Sequence, residues 1–151
     1  MKLRSSSALI VLLLTLIYLT YSLSVQIWDR HYLSLRESIQ ALDQTEADLS
    51  TVTAFEWDRV YFFEPYTPVE TIYETVGYEW RSISATVSEG MNQVVFMDEN
   101  EVTCYVYGYP ENNGFGLSSD QEVLTKADDL TFQLKYWQGI PLLERKTDDI
   151  P

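Results

Sequence analysis

The chain has 151 residues, 10 of them Lys or Arg and 23 Asp or Glu, for a formal charge of −13 at pH 7. Apolar residues make up 46% and aromatics 14%, more than a disordered chain carries. The acid surplus speaks against nucleic-acid binding and against a peripheral grip on anionic lipid, since both need Lys and Arg in excess; one Cys excludes an intrachain disulfide, and one His excludes a His-rich metal site.

Residues 1–7, MKLRSSS, are positive through Lys2, Arg4 and the amino group, and Ala8 to Leu19 then reads ALIVLLLTLIYL, softened only by Thr15 and Tyr18. A short positive stretch ahead of an apolar run is an export signature. Two fates fit it. Signal peptidase would cut after Ser24, using the small Ser22 and Ser24, and release a secreted chain; or residues 1–25 would stay as a transmembrane signal anchor. Ala8 to Val25 as a helix covers about 27 Å at about 1.5 Å per residue, enough for a thin hydrocarbon core. The only Cys, Cys104, lies far downstream of the run, so a lipid-bearing Cys is excluded. The anchor is the favoured reading, with the membrane met through residues 8–25, the basic flank in the cytoplasm and the rest outside the cell membrane. Beyond Lys2 and Arg4, 8 basic residues remain against 23 acidic ones, a formal −15 for the exported part.

Residues 26–49 carry a heptad-like stripe, Trp28, Tyr32, Leu35, Ile39, Leu42 and Leu49, broken by Glu46, with polar residues such as Arg30, Arg36, Glu37 and Asp43 between. This predicts an amphipathic stalk helix. Its stripe either packs on the domain that follows or supports self-association through residues 28–49; a stripe this short favours packing.

Residues 50–147 read as a small domain. STVTAFEW over 50–57 predicts extended or looped chain. Asp58 to Phe63 predicts a strand with Val60 and Phe62 on one face and Tyr61 and Phe63 on the other, covered on both sides. Pro65 stops it. Thr67-Pro68-Val69-Glu70 predicts a helix over 68–76, capped by Thr67 with Glu70 reaching back and ended by Gly77. Gly90 and Asn92 mark a turn. Gln93 to Met97 and Val102 to Tyr107 predict a hairpin about Glu99-Asn100, pairing Met97 with Val102 and Val95 with Cys104 on one face. Cys104 reads there as a small buried hydrophobe. Residues 108–118 predict a loop, Ser119 with Glu122 a capped helix to about Ala127, Thr131 to Trp137 a strand, and Leu142 to Lys146 a returning strand. Residues 148–151 form a polar tail. The fold class expected is α+β: a signal-anchor helix and an amphipathic helix, then a small antiparallel sheet with one or two short helices on one face.

The segment Phe55-Glu56-Trp57-Asp58-Arg59-Val60-Tyr61-Phe62-Phe63-Glu64-Pro65-Tyr66-Thr67 resembles one found in small exported bacterial proteins and lipoproteins that share an FEWDxVYxFxPYT pattern before a short helix ending in Gly. Here that helix is Val69 to Val76 and its ending Gly77-Tyr78-Glu79-Trp80; the hairpin Val94 to Val106 is similar too. The resemblance covers about residues 50–107. It implies an exported bacterial domain and brings no activity, cofactor or catalytic residue.

Several constellations bear on chemistry. Trp57-Asp58-Arg59 offers a guanidinium beside an indole to clamp an anion, or an ion pair closing the sheet edge; the second is favoured. Tyr105, Tyr107 and Tyr109 alternate, and with Phe115 they surround a Gly- and Asn-rich loop. Together with Trp57 and Arg59 they make the candidate binding patch, since Tyr and Trp favour contact surfaces; burial under a helix is the competing reading and the favoured one. Asp98, Glu99, Asn100 and Glu101 lack the spacing of a calcium loop and read as a solvated tip. His31 has no nucleophile near it in sequence, no G-x-S-x-G occurs, and Gly114-Phe115-Gly116 lacks a third Gly, so neither a catalytic residue nor a cofactor is expected. The functional expectation is a membrane-anchored or secreted envelope protein, non-enzymatic, binding a protein partner with a basic surface. The alternatives are a small acidic inhibitor or immunity-type protein and a carboxylate-dependent hydrolase.

Overall fold

A computed structural model describes residues 3–24 and 26–146. The expected tail over 148–151 lies outside the described residues, as do Lys2 and Val25. Among the described residues the chain is mixed α and β, with five helices and two four-stranded sheets.

Helix α1 spans Leu3–Ser24. Its side chains from Leu9 to Leu14 and from Leu16 to Leu19 are 51–71% exposed, and the Thr15 hydroxyl donates back to the Leu12 carbonyl at 2.8 Å. Among the described residues no helix is long and apolar enough to cross a membrane.

Helix α2 is Ile27–Gln40, shorter than the stalk expected over 26–49. The competing force is strand pairing. Strand β1, Glu46–Asp48, pairs with β7, Thr131–Trp137, which seats Ala47 opposite Phe132 in the core. The Leu49 amide then bonds the Leu130 carbonyl at 2.9 Å, and Asp48 caps the single turn α3, Leu49–Val52, by accepting from the Ser50 amide at 2.7 Å. A helix continued past Gln40 would carry Ala47 and Leu49 out of that core. The stripe packs instead of projecting: Leu35, Ile39 and Leu49 are fully buried within this chain.

Strand β2, Arg59–Phe62, lies between β3, Asn92–Asp98, and β6, Val123–Thr125; β3 also pairs with β4, Glu101–Gly108. This gives one antiparallel sheet in the order β4-β3-β2-β6. Both its faces are covered, as the two apolar faces of β2 require. Val60, Phe62, Val94 and Phe96 face the main core, which is shared with α2, α3 and the second sheet. Phe63, Val95 and Met97 face a second cluster, closed by Ile72 and Val76 of helix α4, Val69–Val76, and by Trp80 and Ile83. Gly77 ends α4 at φ +93°, its amide on the Tyr73 carbonyl at 2.9 Å. The expected Thr67 cap does not form: Pro68 holds the cap position, and the Thr67 hydroxyl donates to the Glu64 carbonyl at 2.7 Å.

The second sheet is β1-β7-β8-β5, with β5 spanning Gly116–Ser119 and β8 Ile140–Arg145. The expectation of one antiparallel sheet is corrected twice: there are two sheets, and β5 runs parallel to β8. Residues 119–127 are not a helix. Leu124 is fully buried, and β6 forms the edge of the first sheet. The Ser119 hydroxyl accepts from the Gln121 amide rather than capping a helix. The Thr125 amide and hydroxyl both donate to Asp128, which holds that carboxyl below the usual carboxylate range.

The hairpin turn falls at Glu99-Asn100 and Met97 pairs with Val102, as expected. Beyond that the register departs. Phe96 pairs with Cys104 and Val95 with Tyr105, so Thr103 is an extra residue, a β-bulge. One added residue exchanges the faces. Val102 enters the cluster under α4, while Cys104 and Val106 enter the main core.

Candidate functional site

The bulge gives His31 its place. The Thr103 carbonyl lies 2.7 Å from His31 Nδ1, and the imidazole stacks on Phe55 at 4.5 Å between centroids. His31 therefore ties α2 to β4. Cys104 is fully buried one residue on, and burial pushes its thiol well above the ordinary range, which removes it as a nucleophile at neutral pH.

The six residues of the expected patch do not share one surface. Trp57 is 2% exposed; its Nε1 donates to the Thr53 hydroxyl at 2.8 Å and its ring meets Phe96 edge-on at 5.6 Å. Lys126 Nζ lies 3.9 Å from the centre of that ring. Phe115 is fully buried, 5.9 Å from Tyr32 between ring centroids, and is a core residue. Arg59 is half-buried at the far end of β2. Its guanidinium donates to the Glu99 carbonyl, while Asp58 accepts from the Glu99 amide at 3.0 Å. Asp58 and Arg59 lie 3.7 Å apart and together clamp the hairpin turn, where Glu99 sits at φ +53°. An anion clamp would need that guanidinium free.

Tyr105 and Tyr107 do stack, at 5.9 Å, but their hydroxyls turn inward. Tyr105 Oη accepts from the Ser84 amide and Gln93 Nε2, and burial raises its phenol above the ordinary value. Tyr107 Oη donates to the Ala85 carbonyl at 3.0 Å. The segment 78–86 thus covers the tyrosine face, joined by Trp80, which stands between Tyr105 and Trp28 in edge-to-face contacts of 5.2 and 4.9 Å. Gly108, at φ +111°, turns the chain away, so Tyr109 leaves the row and begins the short helix Pro110–Asn113. Among the described residues no group of three or more His, Cys, Asp or Glu is placed to hold a metal ion.

A concave feature lies elsewhere, where the end of β2 meets β5. Pro65 has no amide to continue the ladder, and the chain bends out. Tyr66 then takes the left-handed conformation at φ +68°, its amide held by the carbonyl and hydroxyl of the buried Thr86 at 3.2 and 3.1 Å. A bulky residue in that region is strained, by about 1–2 kcal/mol. Its ring remains 59% exposed. On the other wall, Leu117 N–H donates to Asn92 Oδ1 at 3.0 Å, and the Phe62 amide reaches the Glu122 carbonyl at 2.8 Å. Two adjoining cavities, of about 250 and about 360 Å³, share Phe62, Phe63, Glu64 and Ser119. The first runs over Asn92, Val94 and Leu117; the second runs between Thr67 and Thr71 on one side and Asp120 to Glu122 on the other. Sequence reasoning missed this groove because its lining comes from three separate segments, 62–71, 90–94 and 117–122. No local motif joins them.

No family model, characterised protein or solved structure matches the chain.

Proposed function

We propose that the chain is an envelope protein, tethered to the cell membrane through residues 8–25, whose outward-facing domain binds a protein partner with a basic surface and performs no catalysis. The observation that carries the tether is the Leu9–Leu19 stretch of α1, whose apolar side chains lie all round the helix and are 51–71% exposed. A helix apolar all round needs apolar cover on all sides, and lipid supplies it. Thr15 supports the same reading, since its hydroxyl is satisfied within the helix, as hydrocarbon surroundings demand. The likeness of the Phe55 to Thr67 segment to exported bacterial proteins agrees with the direction of insertion.

The binding role rests on charge and on the shallow site. The exported part carries 8 basic against 23 acidic residues, which steers basic partners inward and repels acidic ones. Alkaline extraction of membranes followed by intact mass tests the tether. A full-length chain retained in the membrane pellet supports it. A soluble chain shortened by the residues up to Ser24 would replace the tether with secretion.

A further inference from the structure

We propose that the groove between the Pro65 bend and the Asp120–Glu122 bend docks an extended basic segment of the protein partner, with an apolar side chain seated on its floor and Lys or Arg between its acidic walls. This deepens the partner reading above and rests on it.

The floor is apolar: Phe62, Phe63, Val94 and Leu117 line it. The walls are acidic on both sides. Glu64 stands at the junction of the two cavities and Glu122 on the facing bend, both exposed, and neither carboxylate enters an ion pair among the described residues. Asp120 adds negative charge there, although Arg145 lies 3.7 Å from it. Among the described residues no Lys, Arg or His lines either cavity. An acidic or neutral-polar segment would therefore desolvate Glu64 and Glu122 without return, whereas a basic one pairs them.

The shape suits a chain rather than a compact ligand. The two cavities share Phe62, Phe63, Glu64 and Ser119, and their linings extend from there to Asn92 in the first and to Thr71 in the second. Alternating residues of an extended segment point to opposite sides, so every second residue can enter the floor while its neighbours meet the walls. Tyr66 follows Pro65, which lines the first cavity, and is 59% exposed with its amide held by Thr86. A pre-positioned Tyr offers contact area at small entropic cost.

The test uses the full chain in detergent micelles, a labelled peptide alternating Lys and Leu, and matched peptides alternating Glu with Leu and Lys with Ser. Expected is salt-sensitive binding of the Lys–Leu peptide, weaker binding of the Lys–Ser peptide and none of the Glu–Leu peptide, with NMR shifts centred on Phe63, Glu64, Tyr66 and Ser119. The E64Q/E122Q variant should weaken the Lys–Leu peptide by roughly tenfold, the loss of two exposed charge pairs. A photo-crosslinker placed at Tyr66 should capture the peptide, and one placed at Tyr136 should not. If the peptide binds but its shifts lie on another face, or if E64Q/E122Q binds it as the native chain does, the groove assignment fails while the basic-partner reading stands. If neither basic peptide binds anywhere, both fail. Equal binding of the Glu–Leu peptide would overturn the charge argument.

Discussion

Replacing Leu35 by Ala tests whether α2 belongs to the folded domain or merely connects it to α1. Leu35 is 0% exposed and sits in the apolar cluster that includes Ile39, Phe115 and Leu143. The substitution removes three carbons, which forfeits about 2.4 kcal/mol of transfer free energy at about 0.8 kcal/mol each. The remaining cavity adds to this, for a total of about 3 kcal/mol. That is a large share of the roughly 5–15 kcal/mol that holds a domain together, and it should lower Tm by about 10 °C. Leu33 provides the control: two residues away on the same helix it is 49% exposed, and Leu33→Ala should cost under about 0.5 kcal/mol. Urea unfolding followed by tryptophan fluorescence would read both, because Trp57 and Trp80 are buried and Trp28 packs on Trp80. Equal midpoints for the two variants would refute the packing of α2 and return the stripe to a free stalk.

Three further outcomes are expected. His31→Ala removes the bond to the Thr103 carbonyl and the stack on Phe55, and should cost about 1–2 kcal/mol in urea, with faster amide exchange where α2 meets β4; unchanged exchange there would count against the tie. Gly114→Ala should destabilise by about 1–2 kcal/mol, because φ is +76° and a Cβ would stand 2.6 Å from Gln40 Nε2, which donates to the Gly114 carbonyl; a neutral or raised Tm would contradict this. Burial holds the proton on Cys104 in the folded state, whereas the unfolded chain releases it near pH 8.5. Stability is then full below that pH and falls as pH rises, by at most about 1.4 kcal/mol per pH unit, until Tyr105 adds its own loss above about pH 10. Cys104→Ala should flatten the slope between about pH 8.5 and 9.5, and an unaltered slope would show that the thiol does not carry it.

The elements with strong local chemistry were legible. Pro68 and Gly77 bracket α4, Glu99-Asn100 turns the hairpin, and the double-sided apolar pattern of β2 announces a sheet covered on both faces. What escaped depends on partners distant in the chain. The bulge at Thr103 leaves no trace in an alternation where Val102, Cys104 and Val106 are all small and apolar, yet it sends them to different cores. Glu46 to Asp48 and Val123 to Thr125 are too short to read as strands, and each forms only because an existing strand, β7 or β2, offers an open edge. A helix pattern over those residues loses to that pairing. The candidate patch failed for the same reason. Alternation placed Tyr105 and Tyr107 on one face, but only the fold says that segment 78–86 lies over it. The groove required Phe63 and Ser119 to meet, which no spacing rule anticipates.

The proposed tether requires α1 to deliver the domain to the outer side of a membrane. A phosphatase that is active only outside the cytoplasm, fused after Pro151 and paired with a fluorescent reporter that folds only inside, measures it in one comparison. An active phosphatase and a dark fluorescent fusion are expected, both retained in the membrane fraction. A bright fusion with a silent phosphatase would place the domain in the cytoplasm and contradict the proposed tether and its outward-facing partner alike.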